Sequence, residues 1–238
     1  MNLSKMLYFI KKLKPYNIVK GLRYLNHYGP KEFFNRLFER LEPDEVPYGP
    51  WYESHRATPE ELKRQSRHTF AYAPLISVVV PAYHKVTGVQ TCALPIAFLR
   101  EMIESVKSQS YENWQLVIAD ASPDDERMNQ VLKVYADDDR RIVVRTLKEN
   151  LGIAENTNAG FSAAAGDYVG LLDHDDLLAP DALYEVVDLL NKDRHTDVVY
   201  TDEDKVTTDL SEHFQPHMKP DFNLDLLRSN NYICHFFV

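Results

Sequence analysis

Gly166-Asp-Tyr-Val-Gly-Leu-Leu-Asp-His-Asp-Asp-Leu-Leu-Ala-Pro180 is the stretch whose reading decides the fold. Its apolar run, Tyr168–Leu172, is a strand, and three carboxylates follow within four positions: Asp173, Asp175 and Asp176. A helix is expected behind Pro180. Negative charge concentrated at the end of a strand is costly without a counter-charge. Carboxylate oxygens suit hard divalent ions such as Mg²⁺ or Mn²⁺, and such an ion can hold a diphosphate.

Working outward, strand and helix alternate. Ile76–Val80 is a continuous β-branched run, the pattern of a strand buried on both faces. Phe98, Leu99, Met102, Ile103 and Val106 mark one face of a helix. Trp114–Ala119 is a second strand; Met128, Val131, Leu132 and Tyr135 mark a second helix; Arg141–Leu147 is a third strand. Ile153–Ala165 reads as helix, the Tyr168–Leu172 strand follows, and Leu183, Val186, Val187 and Leu190 line the next helix. Asp197–Thr201 is expected as a fifth strand. Repeated β-α units predict an α/β fold, a mostly parallel sheet with helices on both faces. Such sheets bind ligands beyond the C-terminal ends of their strands.

Ahead of this body lie two other regions. Residues 1–41 carry nine Lys/Arg against two Glu, +7, which leaves −16 on the rest of a chain of net charge −9. They read as a basic helical arm broken at Pro15 and at Gly29-Pro30, with Met6, Leu7, Phe9, Ile10 and Leu13 among lysines. Such a helix either lies on anionic lipid or packs on the body with its charges in water. Residues 42–74 are a Pro-rich linker, with a short helix from Pro59 capped by Thr58, and Trp51, Tyr52 and Tyr72 are expected to pin it. The acidic body argues against nucleic acid as a partner. Cys92 and Cys234 make no disulfide framework, so a reducing, cytoplasmic setting is expected. No apolar run approaches the roughly 20 residues needed to span a bilayer.

Between Tyr83 and Phe98 the alternation fails. Val86-Thr-Gly-Val-Gln-Thr-Cys-Ala-Leu-Pro-Ile96 has no period and resembles translated sequencing-adapter DNA. Residues 86–96 are therefore read as a non-native insert, with a substrate-side loop as the alternative.

Polar clusters follow four successive strands: Pro81-Ala-Tyr83, Asp120-Ala-Ser122, Asn150-Leu-Gly152 and Asp173-His-Asp175. Loops on one sheet edge build one pocket. Together with Ser77-Val-Val-Val-Pro-Ala-Tyr83, Ile118-Ala-Asp-Ala-Ser122, Asn158-Ala-Gly160 and Gly166–Asp176, these pieces resemble the family 2 glycosyltransferases of GT-A fold, over residues 75–238. The resemblance implies that Pro81, Ala82 and Tyr83 border a nucleotide base, that Asp120 accepts from its N–H or lies close to it, and that Ser122 is also on the nucleotide-sugar. It places Asn158, Asp173 and His174 on the nucleotide-sugar, and makes Asp173 and Asp175 the Asp-x-Asp pair for Mn²⁺ or Mg²⁺. Where the family has Arg before its Asn, this chain has Thr157.

The resemblance further implies an inverting transfer from a nucleoside-diphosphate sugar, most simply UDP-linked. The acceptor would be a saccharide or lipid-linked saccharide in bacterial surface polysaccharide synthesis. Asp202 and Asp204, in Thr201-Asp-Glu-Asp-Lys205, would border that acceptor, or form a solvated turn. The family's general base is expected beyond Val238, so the chain is read as C-terminally truncated. Other readings fit less well. An EF-hand needs Gly at the sixth position and Glu at the twelfth, where this chain has Leu178 and Tyr184. Gly-x-Gly-x-x-Gly and a P-loop are missing. A non-catalytic nucleotide-sugar binder and an Asp-x-Asp phosphohydrolase stay open. His213, His217 and His235 lack the spacing of a metal site.

Overall fold

The structure is a computed structural model that describes residues 22–27, 29–31, 33–34, 48–83 and 93–238. The expected amphipathic helix around Met6–Leu13, its break at Pro15 and most of the 86–96 run, Cys92 included, lie outside those residues. The chain divides into two units, one of residues 1–54 with 206–215, the other of residues 55–205 with 216–238.

In the first unit, residues 22–27 and 29–31 are helical. Helix α1 (Tyr48–His55) brings the rings of Tyr48 and Trp51 to 5.5 Å, and Tyr52 stacks on His213 at 3.8 Å.

In the second unit, α2 (Pro59–Gln65) starts as the sequence predicts. Thr58 accepts the Glu61 N–H, and Pro59 sits where a missing N–H costs nothing. A four-stranded parallel sheet follows, built from β1 (Ile76–Ala82), β2 (Trp114–Asp120), β3 (Ile142–Thr146) and β4 (Tyr168–Leu171) in the order β3-β2-β1-β4. Central β1 is buried along its whole length, as its unbroken apolar run requires. The connecting helices are α3 (Ala93–Lys107), α4 (Glu126–Asp138), α5 (Ile153–Phe161) and α6 (Ala182–Lys192). Leu99, Met102, Ile103 and Val106 of α3 are buried, as are Met128, Val131, Leu132 and Tyr135 of α4 and Leu183, Val186, Val187 and Leu190 of α6. Each set lies on the face read from 3.6-residue periodicity, with Phe98 of α3 only half-buried.

Helix α3 begins at Ala93, ahead of the expected face. Pro95 is tolerated because it falls in the first turn. Tyr72 is tied to α6: Asn191 bonds both its N–H (3.0 Å) and its carbonyl (2.8 Å), and the Arg194 guanidinium lies 3.4 Å from its ring centre.

The expected fifth strand, Asp197–Thr201, is reduced to a bridge at Tyr200, and its partner is the end of the chain. Residues 236–238 lie antiparallel beside β4, with the Leu171 N–H on the Phe237 carbonyl at 2.8 Å. On the other side, Val199 and Val238 exchange bonds of 2.8 and 2.9 Å. Periodicity locates extended chain but does not say which neighbour pairs with it. Glycine makes this packing possible, since a Cβ on Gly170 would come within 2.3 Å of the Phe236 ring. The remaining elements are β5 (Glu203–Val206) and β6 (His213–His217), which pair with each other, and α7 (Leu224–Ser229).

Candidate functional site

Register fixes what the strand tips present. Ala82 pairs with Asp120, and Val79 with Leu171. Pro81, Ala82, Asp120 and Ser122 therefore sit side by side at the C-terminal ends of β1 and β2, joined by the Ala121 N–H on the Ala82 carbonyl at 2.9 Å. Tyr83 leaves β1 with its ring exposed. Asp173 to Asp176 leave β4 at the same edge.

Asp120 is fully buried. Its Oδ1 accepts the Ser122 N–H at 2.8 Å, whereas its Oδ2 is buried with no partner among the described residues. Burial pushes its pKa up, the Ser122 bond opposes, and Asp125 adds to the rise. A buried carboxylate oxygen left without a donor is an acceptor waiting for one.

The carboxylates after β4 are sorted by a turn. The Asp176 N–H donates to the Asp173 carbonyl at 3.2 Å, so Asp173 and Asp176 are the ends of a four-residue turn, with His174 and Asp175 at its corners. The ends converge. Asp173, Asp176 and His235 each offer a ligand atom, and these atoms lie within 4.8 Å of one another. His235 Nε2 is 3.3 Å from Asp173 Oδ2. Asp175 is exposed at its corner, 3.9 Å from His174 Nδ1.

Charges within the cluster are interdependent. The hydrogen bond to His235 holds Asp173 below the ordinary carboxylate range against the effect of burial. The same bond raises His235, with Asp176 and Glu203 adding to it. Asp176 is pushed up by burial, and Asp175 and Asp173 repel its charge further. Two acids and an imidazole in one place can hold a proton between them or a divalent cation.

Asn158 is exposed on α5, where its carbonyl accepts the Ser162 hydroxyl at 2.9 Å. Asn150 and Asn156 close the turn into α5: Asn150 Oδ1 accepts the Gly152 N–H (3.0 Å) and Asn156 Nδ2 (2.8 Å). Asp202 accepts the Lys219 N–H at 2.7 Å, and Asp204 lies on β5.

Residues 77–237 match the family described as Glycosyl transferase family 2. The chain belongs to this family. A family 2 glycosyltransferase is thus the frame for the strand-tip carboxylates. Among curated relatives, an uncharacterized protein of Sinorhizobium fredii, y4gI, is 43% identical over 68% of this chain and 17% of its own length. The O-antigen biosynthesis protein RfbC of Myxococcus xanthus is 32% identical over 86% of this chain and 16% of its own length. The chain thus spans about a sixth of each of these relatives. Solved structures with some likeness include S. aureus TarS 1–349 (21% identity, TM-score 0.44, covering 52% of this chain and 34% of that one). Mannosyltransferase PcManGT of Pyrobaculum calidifontis is another (21%, TM-score 0.45, covering 58% and 40%).

Two members of the cluster of Asp173, Asp176 and His235 were not assigned from sequence. Asp176 was legible only as a third carboxylate, although an Asp three residues before another Asp at the mouth of a turn is a usable signal. His235 lies at the far end of the chain and has no local pattern to betray it. Among the described residues no helix is long and apolar enough to cross a membrane.

Proposed function

We propose that the chain binds a nucleoside-diphosphate sugar and a divalent cation at the C-terminal edge of its sheet, and transfers the sugar with inversion to a saccharide acceptor. The convergence of Asp173, Asp176 and His235 carries this reading. Their donor atoms fit the ion: two hard carboxylates with one imidazole suit Mn²⁺ better than Mg²⁺, which prefers oxygen throughout. Held there, the cation would supply Lewis-acid stabilisation to the departing diphosphate.

The chain's own residues do the rest. Asp120 Oδ2 offers a buried acceptor to a ring N–H of the base, and a uracil provides one. Tyr83, exposed beside it, offers a face for stacking. Buried Pro81 and Ala82 shape the floor. Asp175 and His174, at the turn's corners, face the donor side. Asp202 and Asp204 border the acceptor. Residues 75–238 act as the catalytic domain behind the 42–74 linker. The 1–41 arm serves as a peripheral contact with the cytoplasmic face of the membrane. The identity with an O-antigen biosynthesis protein supports bacterial surface polysaccharide as the setting.

Thermal unfolding with Mn²⁺ and a panel of nucleoside diphosphates tests this. Mn²⁺ and the right diphosphate together should stabilise the protein, by about 2.7 kcal/mol at a hundredfold excess over Kd. Asp173→Ala should remove the shift. No stabilisation by any diphosphate with Mn²⁺ would sink the proposal.

A further inference from the structure

Lys219 meets Glu203 with its own side chain sealed from water and that of Glu203 30% exposed. The Lys219 side chain is 1% exposed, and its Nζ lies 3.3 Å from Glu203 Oε2. Lys219 Nζ also donates to the His235 carbonyl. Glu203 Oε2 accepts the His235 N–H at 3.3 Å. One ion pair thus engages both backbone polar groups of a single residue. Two further bonds steady the pair: His217 Nδ1 is 3.0 Å from Glu203 Oε1, and the Lys219 N–H meets Asp202 Oδ1.

Burying the charge of a lysine adds little to stability compared with apolar packing of the same volume, even beside a half-buried carboxylate, so its presence asks for another reason. The imidazole supplies one. A metal-binding histidine is ordinarily oriented by a hydrogen bond from its second ring nitrogen. In His235 that nitrogen, Nδ1, is buried with no partner among the described residues. Orientation must come from elsewhere, and the backbone clamp is the structure in place to give it.

We propose that Glu203 and Lys219 are positioning residues, clamping the His235 backbone so that its imidazole remains the third arm of a divalent-cation site with Asp173 and Asp176. The proposal rests on the cation reading of that cluster. Neither residue of the pair touches the ion.

The test is Mn²⁺ binding by the full chain, followed through the electron paramagnetic resonance signal of the free ion. Unaltered protein binds, and Asp173→Asn does not. Glu203→Gln and Lys219→Met each raise Kd by about 10- to 100-fold, the usual effect of losing a partner that orients a ligand. In a His235→Ala background the same substitutions change Kd no further, because the arm they steer is gone. General loosening would weaken binding equally in both backgrounds. An unaltered chain that leaves Mn²⁺ free overturns the cation reading and the clamp with it. Unchanged Kd in the single variants, or equal losses in both backgrounds, overturns the clamp alone. Because removing one partner of a buried pair can unfold a protein, amide hydrogen exchange of the unaltered chain gives a second reading. A clamped His235 N–H is strongly protected. Exchange at the rate of an open loop refutes the clamp whatever the variants do.

Discussion

Asp120→Asn separates what the strand tip costs from what it does. Asp120 is fully buried, and one of its two oxygens has no donor. The asparagine keeps an oxygen for the Ser122 N–H and replaces the charged orphan with a neutral one. An unsatisfied buried polar group costs about 1–3 kcal/mol and a charged one more, so neutralising this site should return on the order of 1 kcal/mol. For a chain of this size that is a rise of roughly 2–4 °C in melting temperature. The sign with pH follows from the raised pKa. Where the folded pKa exceeds the unfolded one, the folded state binds the proton more tightly, so acid favours the wild type. The advantage of asparagine is therefore greatest at neutral pH and shrinks as pH falls through the folded pKa toward about 4, the ordinary carboxylate value. Melting curves of both proteins at pH 7 and near pH 4.5, with and without Mn²⁺ and a nucleoside diphosphate, read all of this. The ligand-free variant melts higher at pH 7, whereas its ligand-dependent shift is smaller than the wild type's, because an amide N–H₂ presented to a ring N–H repels it. A variant that melts lower at pH 7, or whose gain is the same at both pH values, would show that Asp120 is not a charge held at a loss.

Three further outcomes are expected. Asp176→Asn should weaken Mn²⁺ binding more than Asp175→Asn, since Asp176 joins the cluster and Asp175 is exposed at the turn's corner; calorimetric titration decides, and the reverse order would restore the plain Asp-x-Asp pair. Gly170→Ala should cost about 1–3 kcal/mol in urea unfolding, the usual range for overpacking. Its Cβ would stand 2.3 Å from the Phe236 ring, and loss of Mn²⁺ affinity should accompany the cost because His235 precedes that ring; an unaffected variant would mean that residues 236–238 can shift to make room. The +7 charge of residues 1–41 should give binding to phosphatidylserine vesicles that fades as salt rises, because screening shortens the reach of charge; co-sedimentation insensitive to salt would refute an electrostatic arm.

Where the sequence could be read, the signal was local. The buried faces of α3, α4 and α6 follow helical spacing, and β1 follows from an unbroken β-branched run; each pattern lies within a single element. The parallel order follows from alternation, and with it the gathering of Asp120 and Asp173 on one edge. Failures begin where a residue's partner lies far along the chain. Asp197–Thr201 carries an extended pattern, but its pairing with residues 236–238 depends on a chain end that enters beside β4. His235 adjoins that same segment, so the placement of residues 236–238 and the meeting of His235 with Asp173 and Asp176 are one event. The acidic turn adds a contact that composition does not show. The resemblance names Asp173 and Asp175 as a pair; an i to i+3 bond also brings Asp173 and Asp176 together, with Asp175 exposed at the corner. Local composition therefore fixes how much negative charge the edge must carry. Turn geometry and a distant segment then select which of those charges meet, and the Lys219–Glu203 pair, bonded to the His235 backbone, lies along residues 203–235 that bring His235 to the turn.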